Sequence, residues 1–264
     1  MTPQYQKYQK RLIKICGERG YWMKVLGFVG DKPIWFVSID GPIDQSEMSP
    51  SSQVPKILVV AGFHGEEKAG PWAILEWLAT YEVEDATYIS VIPVVNPTAF
   101  NLGKRYNTWG ERSNAGFRGR DGLSEEGKIL MANKDLILDC AHNGMLSLHE
   151  DITCPDYYAY TFEKSKEPGK FTCGLLDELS KHFEKPANNE TIYTDAENPG
   201  PYIVNGLVYK HKDGSFEDWL FHEGVARTAV TETPGKRIQL QRRIKANVDI
   251  INRFIELCTE TCNE

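Results

Sequence analysis

ILVVAGFHGEEKAGP, residues 57–71, runs from the apolar stretch Ile57-Leu58-Val59-Val60 into a histidine, places a glutamate three positions later, and then reaches a proline. An unbroken apolar run of this kind reads as a strand buried on both faces, and Pro71 suits the first turn of a helix over about 70–81. Strand, polar loop and helix in that order predict one unit of an α/β sheet. Within the loop, His64 and Glu67 are spaced to converge on one point, with Glu66 as the rival carboxylate. A strand that simply ends in a polar loop gives the same letters, so the rest of the chain decides what the pair means.

Outward from this stretch the pattern repeats. Residues 3–18 carry Tyr5, Tyr8, Leu12, Ile13 and Ile15 at roughly helical spacing, and the β-favouring runs 22–29 and 33–39 flank a turn at Gly30-Asp31-Lys32, which predicts a hairpin. A Pro/Ser-rich loop covers 42–55. Residues 88–95 read as a second buried strand, 96–123 as a long Gly/Asn/Arg-rich loop, and 124–133 as a helix capped by Ser124. Short apolar runs at 136–138 and 144–148 end in polar clusters, 225–231 reads as a strand, and 235–259 as a long closing helix with a basic outer face.

No linker divides the 264 residues, so one domain over 1–264 is expected, with the opening helix and hairpin, about 1–40, as part of it. The expected class is α/β, a mixed sheet flanked by helices. In such sheets chemistry gathers at the carboxyl ends of the strands, where His64, His149 and Glu232 fall.

Apolar residues make up 41% and charged residues 25%, ordinary values for a packed domain. The net charge of −7 argues against a nucleic-acid footprint, which needs a concentrated basic surface. No stretch resembles a secretory or membrane-spanning segment, so a cytoplasmic protein with a small soluble substrate is expected. Six cysteines without Cys-x-x-Cys spacing argue against a cysteine-only zinc site; Cys258 and Cys262 could share a helix face but read as reduced bystanders.

Six histidines limit the metal chemistry available. His182 and His211 sit in polar, exposed-looking surroundings, and His222 reads as a core-edge or surface residue. Catalytic zinc typically takes three protein ligands, with two histidines and a glutamate a recurrent set. His149, ending the run Leu146-Ser147-Leu148, offers the second imidazole; His142, which precedes that run, is the rival. There is no His-Glu-x-x-His, no Gly-x-Ser-x-Gly and no Walker loop.

The order of these pieces resembles the zinc carboxypeptidases of the carboxypeptidase A type and their relatives, the murein peptide amidases and the aspartoacylase and succinylglutamate desuccinylase group. The likeness covers residues 56–235. Gly62-Phe63-His64-Gly65-Glu66-Glu67 is similar to the family's Gly-x-His-x-x-Glu, and Ser147-Leu148-His149 to its strand-end histidine, implying one zinc ion held by His64, Glu67 and His149. Pro93-Val94-Val95-Asn96-Pro97 with Leu102-Gly103-Lys104-Arg105 resembles the stretch whose arginine polarises the scissile carbonyl, here Arg105. Tyr209, Gly214-Ser215-Phe216-Glu217-Asp218-Trp219 and then Glu232 resemble the tyrosine, the Gly-Ser-x-Asp-Trp segment and the catalytic glutamate.

Two departures stand out. Where the family has Asp-Leu-Asn-Arg, an Asn-Arg pair gripping the substrate carboxylate, this chain has Ser113-Asn114-Ala115, so Asn114 matches and the arginine is missing. Arg112, Arg118 or Arg120 is left to supply a guanidinium from another backbone position. Glu111 is a candidate to orient His64. One extra residue between Tyr209 and Trp219 leaves open whether Phe216 or Glu217 lines the side-chain pocket.

The resemblance implies the zinc-carboxypeptidase (phosphorylase/hydrolase-like) architecture. It also implies a zinc-dependent metallocarboxypeptidase or peptide amidase acting on a small peptide with a free carboxylate. An N-acyl amino acid deacylase and a catalytically silent binding protein are the alternatives. The implied roles are base for Glu232, carbonyl polarisation for Arg105, closure over the substrate for Tyr209, and substrate binding for Asn114, Arg112, Arg118 and Glu217.

Overall fold

A computed structural model describes residues 4–39, 54–82, 87–119, 122–188, 194–195, 198–199, 203–235 and 238–260. The chain opens with α1 (Gln4–Arg19) and the hairpin of β1 (Trp22–Val29) and β2 (Lys32–Ser38). It continues through β3 (Lys56–Ala61), α2 (Ala69–Thr80), β4 (Tyr88–Ile92), α3 (Pro97–Leu102), α4 (Glu125–Ala132), α5 (Lys134–Cys140) and β5 (Gly144–Asp151). Then follow β6 (Tyr158–Glu163), α6 (Lys170–His182), the short pair β7 (Thr194–Asp195) and β8 (Asn198–Pro199), and β9 (Leu207–Tyr209). α7 (Phe216–His222), β10 (Arg227–Pro234) and α8 (Leu240–Glu260) close the described chain.

Eight strands form one mixed sheet in the order β1-β2-β4-β3-β5-β10-β6-β9. The central strands β4, β3, β5 and β10 run parallel, and antiparallel β2 and β6 flank them. Successive side chains of a strand face opposite sides, and β3 uses both. Ile57, Val59 and Ala61 enter the core under α1, α2, α6 and α8, whereas Leu58 and Val60 enter the core under α4, α5 and α7. Two covered faces explain why this strand is an unbroken apolar run.

From β3 the chain moves to β4 on one side, then returns to place β5 on the other. The crevice between β3 and β5 at their carboxyl ends is therefore the switch point where open α/β sheets bind ligands. His64 follows β3 and His149 lies near the end of β5.

The expected long loop over 96–123 contains α3. Asn96 caps it, its Oδ1 accepting from the Ala99 amide at 2.9 Å, with Pro97 in the first turn. β4 stops at Ile92, short of the expected 95, because the chain turns into this cap. The apolar runs at 136–138 and 144–148 become α5 and β5, whereas β6, α6, β9 and α7 have no counterpart in the sequence reading. Ser124 caps α4 as expected, its Oγ accepting from the Gly127 amide at 3.1 Å. The face of α8 is not uniformly basic outward. Arg243 turns inward to the buried Glu150 carboxylate, which also accepts from the Ala69 amide at 2.9 Å and so ties α8 and α2 to β5. No helix among the described residues is long and apolar enough to cross a membrane.

Candidate metal centre

His64 is placed by a loop that requires glycine at two positions. Gly62 takes φ +73°, a left-handed conformation that glycine adopts without steric cost, and turns the chain off β3. A Cβ on Gly65 would lie 2.0 Å from the Ala99 carbonyl carbon, so the loop packs directly on the α3 backbone. The Gly65 amide donates to the Lys104 carbonyl at 2.8 Å. Between these glycines, the Phe63 carbonyl accepts from Asn96 Nδ2 at 3.4 Å and from the Ser113 hydroxyl, both buried.

His64, Glu67 and His149 converge. Their ligand atoms lie within 4.8 Å of one another. His64 Nδ1 is 2.6 Å from Glu67 Oε1, and His149 Nδ1 is 2.9 Å from Glu67 Oε2. The second contact is misaligned for hydrogen bonding, and both of its atoms are buried without a hydrogen-bond partner. Two imidazole nitrogens and a carboxylate around one point form the N₂O donor set of catalytic zinc, and the orphaned atoms are those a cation would satisfy. The group therefore fits.

The electrostatics agree. Burial works against a charged His149, but Glu67, Glu232 and Glu217 push its pKa up to about 9. Burial would raise the Glu67 carboxyl, yet the two imidazoles hold it well below the usual carboxylate range. His64 is lowered by burial. Carboxylates on both sides of the buried His149 ring thus stabilise positive charge there.

Glu232 is brought alongside, opposite His149 in the β5–β10 pairing. Its Oε2 is buried and unpartnered, and burial, with the Glu67 and Asp151 charges, keeps its pKa well above the ordinary value. The Arg105 guanidinium stands 3.5 Å from Glu67 and 3.7 Å from Glu66. Tyr209 lies on the edge strand β9, its hydroxyl donating to the carbonyls of Ser165 at 2.9 Å and Glu167 at 3.1 Å.

Asn114, Arg118 and Glu217 meet one another's neighbourhood at α7. Asn114 Nδ2 donates to Glu217 Oε2 at 3.0 Å, and its Oδ1 accepts from the Phe216 amide at 2.9 Å. Arg118 is forked onto Asp218 at 3.0 and 3.1 Å. Arg112 is exposed, and Arg120 lies outside the described residues. The Glu111 carboxylate accepts from Asn107 Nδ2 at 2.7 Å and from the Glu125 amide at 3.2 Å.

His142 is exposed, just before β5 and so at the opposite end of that strand from His149. His182, expected on the surface, is mostly covered between α6 and α8, 3.4 Å from Glu178 and 3.3 Å from Asp249. Lys181 and Lys245 already pair with those carboxylates, at 2.7 and 2.6 Å, which makes this cluster an ion-pair network. Sequence reasoning missed Ser147, whose Oγ is 3.0 Å from His149 Nε2. The alternation along β5 was its only signal, since residues two apart share a face.

Residues 53–136 match the succinylglutamate desuccinylase/aspartoacylase catalytic domain. A curated relative, a probable aspartoacylase of Prochlorococcus marinus, is 44% identical over 52 residues, 19% of this chain and 17% of that protein. The crystal structure of a candidate metallopeptidase from Shewanella denitrificans superposes with a TM-score of 0.85 at 33% identity, covering 97% of this chain and 91% of that one. A metallo-carboxypeptidase from Burkholderia cenocepacia shares the fold, at a TM-score of 0.66 and 13% identity, over 97% of this chain and 69% of that one. With this likeness along nearly the whole chain, and the desuccinylase and aspartoacylase match over its first metal-site segment, the chain belongs to the zinc carboxypeptidase-like family.

Proposed function

We propose that the protein is a zinc-dependent hydrolase of amide bonds, a metallocarboxypeptidase or peptide amidase acting on a small substrate with a free carboxylate. The convergence of His64, Glu67 and His149 at the sheet's switch point carries this reading. One zinc ion held there would supply a Lewis acid and lower the pKa of its water to about 7, from roughly 15.7 in bulk.

The chain's own groups do the rest. Glu232 accepts a proton from the attacking water and returns it to the leaving nitrogen as the C–N bond breaks, so acid and base are one carboxyl group. Arg105, beside Glu67, offers N–H donors to the carbonyl oxygen as negative charge develops on it. Among the described candidates Arg118 is paired with Asp218, so the exposed Arg112 is the guanidinium assigned to a substrate carboxylate, and Tyr209, on the edge strand β9, is assigned to close over the substrate.

A second reading has its own support. The match of residues 53–136 to the desuccinylase/aspartoacylase domain favours cleavage of an N-acyl amino acid by the same groups. Zinc-loaded protein incubated with a peptide library, and in parallel with N-acetyl and N-succinyl amino acids, separates the two. Release of C-terminal residues supports the first reading and release of acetate or succinate the second. Turnover of neither by protein carrying stoichiometric zinc contradicts both.

A further inference from the structure

The ring of His149 has two ends, and the structure equips both. Nδ1 faces Glu67, so it is the nitrogen on the ligand side. Nε2 points the other way, to Ser147 Oγ at 3.0 Å and Glu217 Oε1 at 3.9 Å. A neutral imidazole has one donor and one acceptor nitrogen. If Nδ1 is to give its lone pair to a metal, Nε2 must keep the proton, and that proton needs an acceptor.

Glu217 is fully buried, and its Oε1 has no hydrogen-bond partner. A carboxylate is costly to bury in this state unless positive charge stands opposite it. Its other oxygen is fixed by Asn114 Nδ2. The orientation of that amide is settled in turn, because Asn114 Oδ1 must accept from the Phe216 amide. The loop and α7 are joined further by the Phe117 amide on the Gly214 carbonyl at 3.0 Å and by Arg118 on Asp218. On its other side the His149 ring stacks on Phe63, with the planes 11° apart.

We infer that Ser147, Glu217 and Asn114 form a positioning chain behind His149, holding the proton on Nε2 so that Nδ1 presents its lone pair beside Glu67. The Ser147 oxygen is the direct acceptor. Glu217 adds negative charge that makes the imidazole a stronger ligand, and Asn114 holds Glu217 in place. Outer partners of this kind tune metal affinity by about 10- to 100-fold. Two residues that sequence similarity assigns to substrate binding are thereby assigned to the metal. Asn114 has both amide atoms engaged inside the protein, and Glu217, without exposed surface, lines no substrate pocket.

The inference rests on the zinc reading above, and the experiment separates them. Zinc affinity is measured by chelator competition for the parent, Ser147→Ala, Ser147→Thr and Glu217→Gln, each checked for parent-like thermal unfolding. Nitrogen-15 histidine spectra of the zinc-loaded proteins identify the protonated ring nitrogen of His149. The expected result is a loss of affinity of about 10- to 100-fold in Ser147→Ala and Glu217→Gln, most of it restored in Ser147→Thr. A protected Nε2–H signal is expected in the parent and lost in Ser147→Ala. Should Glu217→Gln fail to fold, the serine pair alone decides. Parent-like affinity in a folded Ser147→Ala, or ligation through Nε2, overturns the positioning chain and leaves the zinc reading standing. A parent without zinc affinity overturns that reading and this inference with it.

Discussion

His149 and Glu232 stand opposite each other in the parallel pairing of β5 with β10, so the sheet's hydrogen-bonded register holds a proposed metal ligand and the proposed base side by side. The Glu232→Gln variant keeps the size of the side chain while removing its ability to take a proton. Its kcat is expected to fall by at least about 10²-fold, with zinc content equal to the parent's. Parent-like turnover by zinc-loaded Glu232→Gln would show that another group is the base.

Gly65→Ala tests the loop that carries His64. The added Cβ meets the Ala99 carbonyl carbon at 2.0 Å, a clash that no side-chain rotation relieves because the obstacle is backbone. A cost of about 3 kcal/mol is expected, at the upper end for overpacking, which lowers Tm by roughly 6–12 °C in a chain of this size. Zinc affinity should fall with it. Unchanged unfolding would mean that α3 can move away from the loop.

Much of this arrangement is legible in the sequence. The run Ile57–Val60 announces a two-sided strand because both faces of β3 are covered, and the hairpin and the cap at Ser124 follow local rules. His64, Glu67 and His149 could be paired because strand ends in an α/β sheet share one edge. α3 was hidden inside a loop, although Asn96-Pro97, a cap followed by a first-turn proline, was its signal. What stayed illegible depends on distant partners. Arg243 looks like one more surface cation until Glu150, 93 residues away, turns it inward. The tie between Asn114 and α7, about a hundred positions on, is equally invisible in the letters, although it engages the amide through both its oxygen and its nitrogen.

A pH-dependent stability follows from Glu126. Burial raises its carboxyl pKa, opposed by hydrogen bonds including those from Ser124 and Asn107 and reinforced by the Glu111 charge. An acid raised on folding costs stability once pH is above its folded pKa, and that cost disappears as pH falls below the unfolded value of about 4.3. Glu126→Gln is therefore expected to exceed the parent in Tm near pH 8, with the gap closing toward pH 4. A gap that widens on acidification would reverse the sign.

Thiol reactivity maps the core. Burial pushes Cys16 and Cys140 up to about 12, so neither forms the reactive thiolate near neutral pH. Cys173 is exposed. Iodoacetamide at pH 7.5 followed by peptide mass mapping should label Cys173 within minutes, and Cys16 and Cys140 only after denaturation. Early labelling of Cys140 would show that the core under α5 opens readily.

The most direct measurement is zinc stoichiometry together with the ligand environment by X-ray absorption, for the parent and for His64→Ala, Glu67→Gln and His149→Ala. The expected result is one zinc per parent chain with two nitrogen ligands and carboxylate oxygen, and loss of most of the metal in each variant. Zinc bound equally well by all three variants, or a parent that neither holds zinc nor gains thermal stability when it is added, would contradict a metal centre at the ends of β3 and β5.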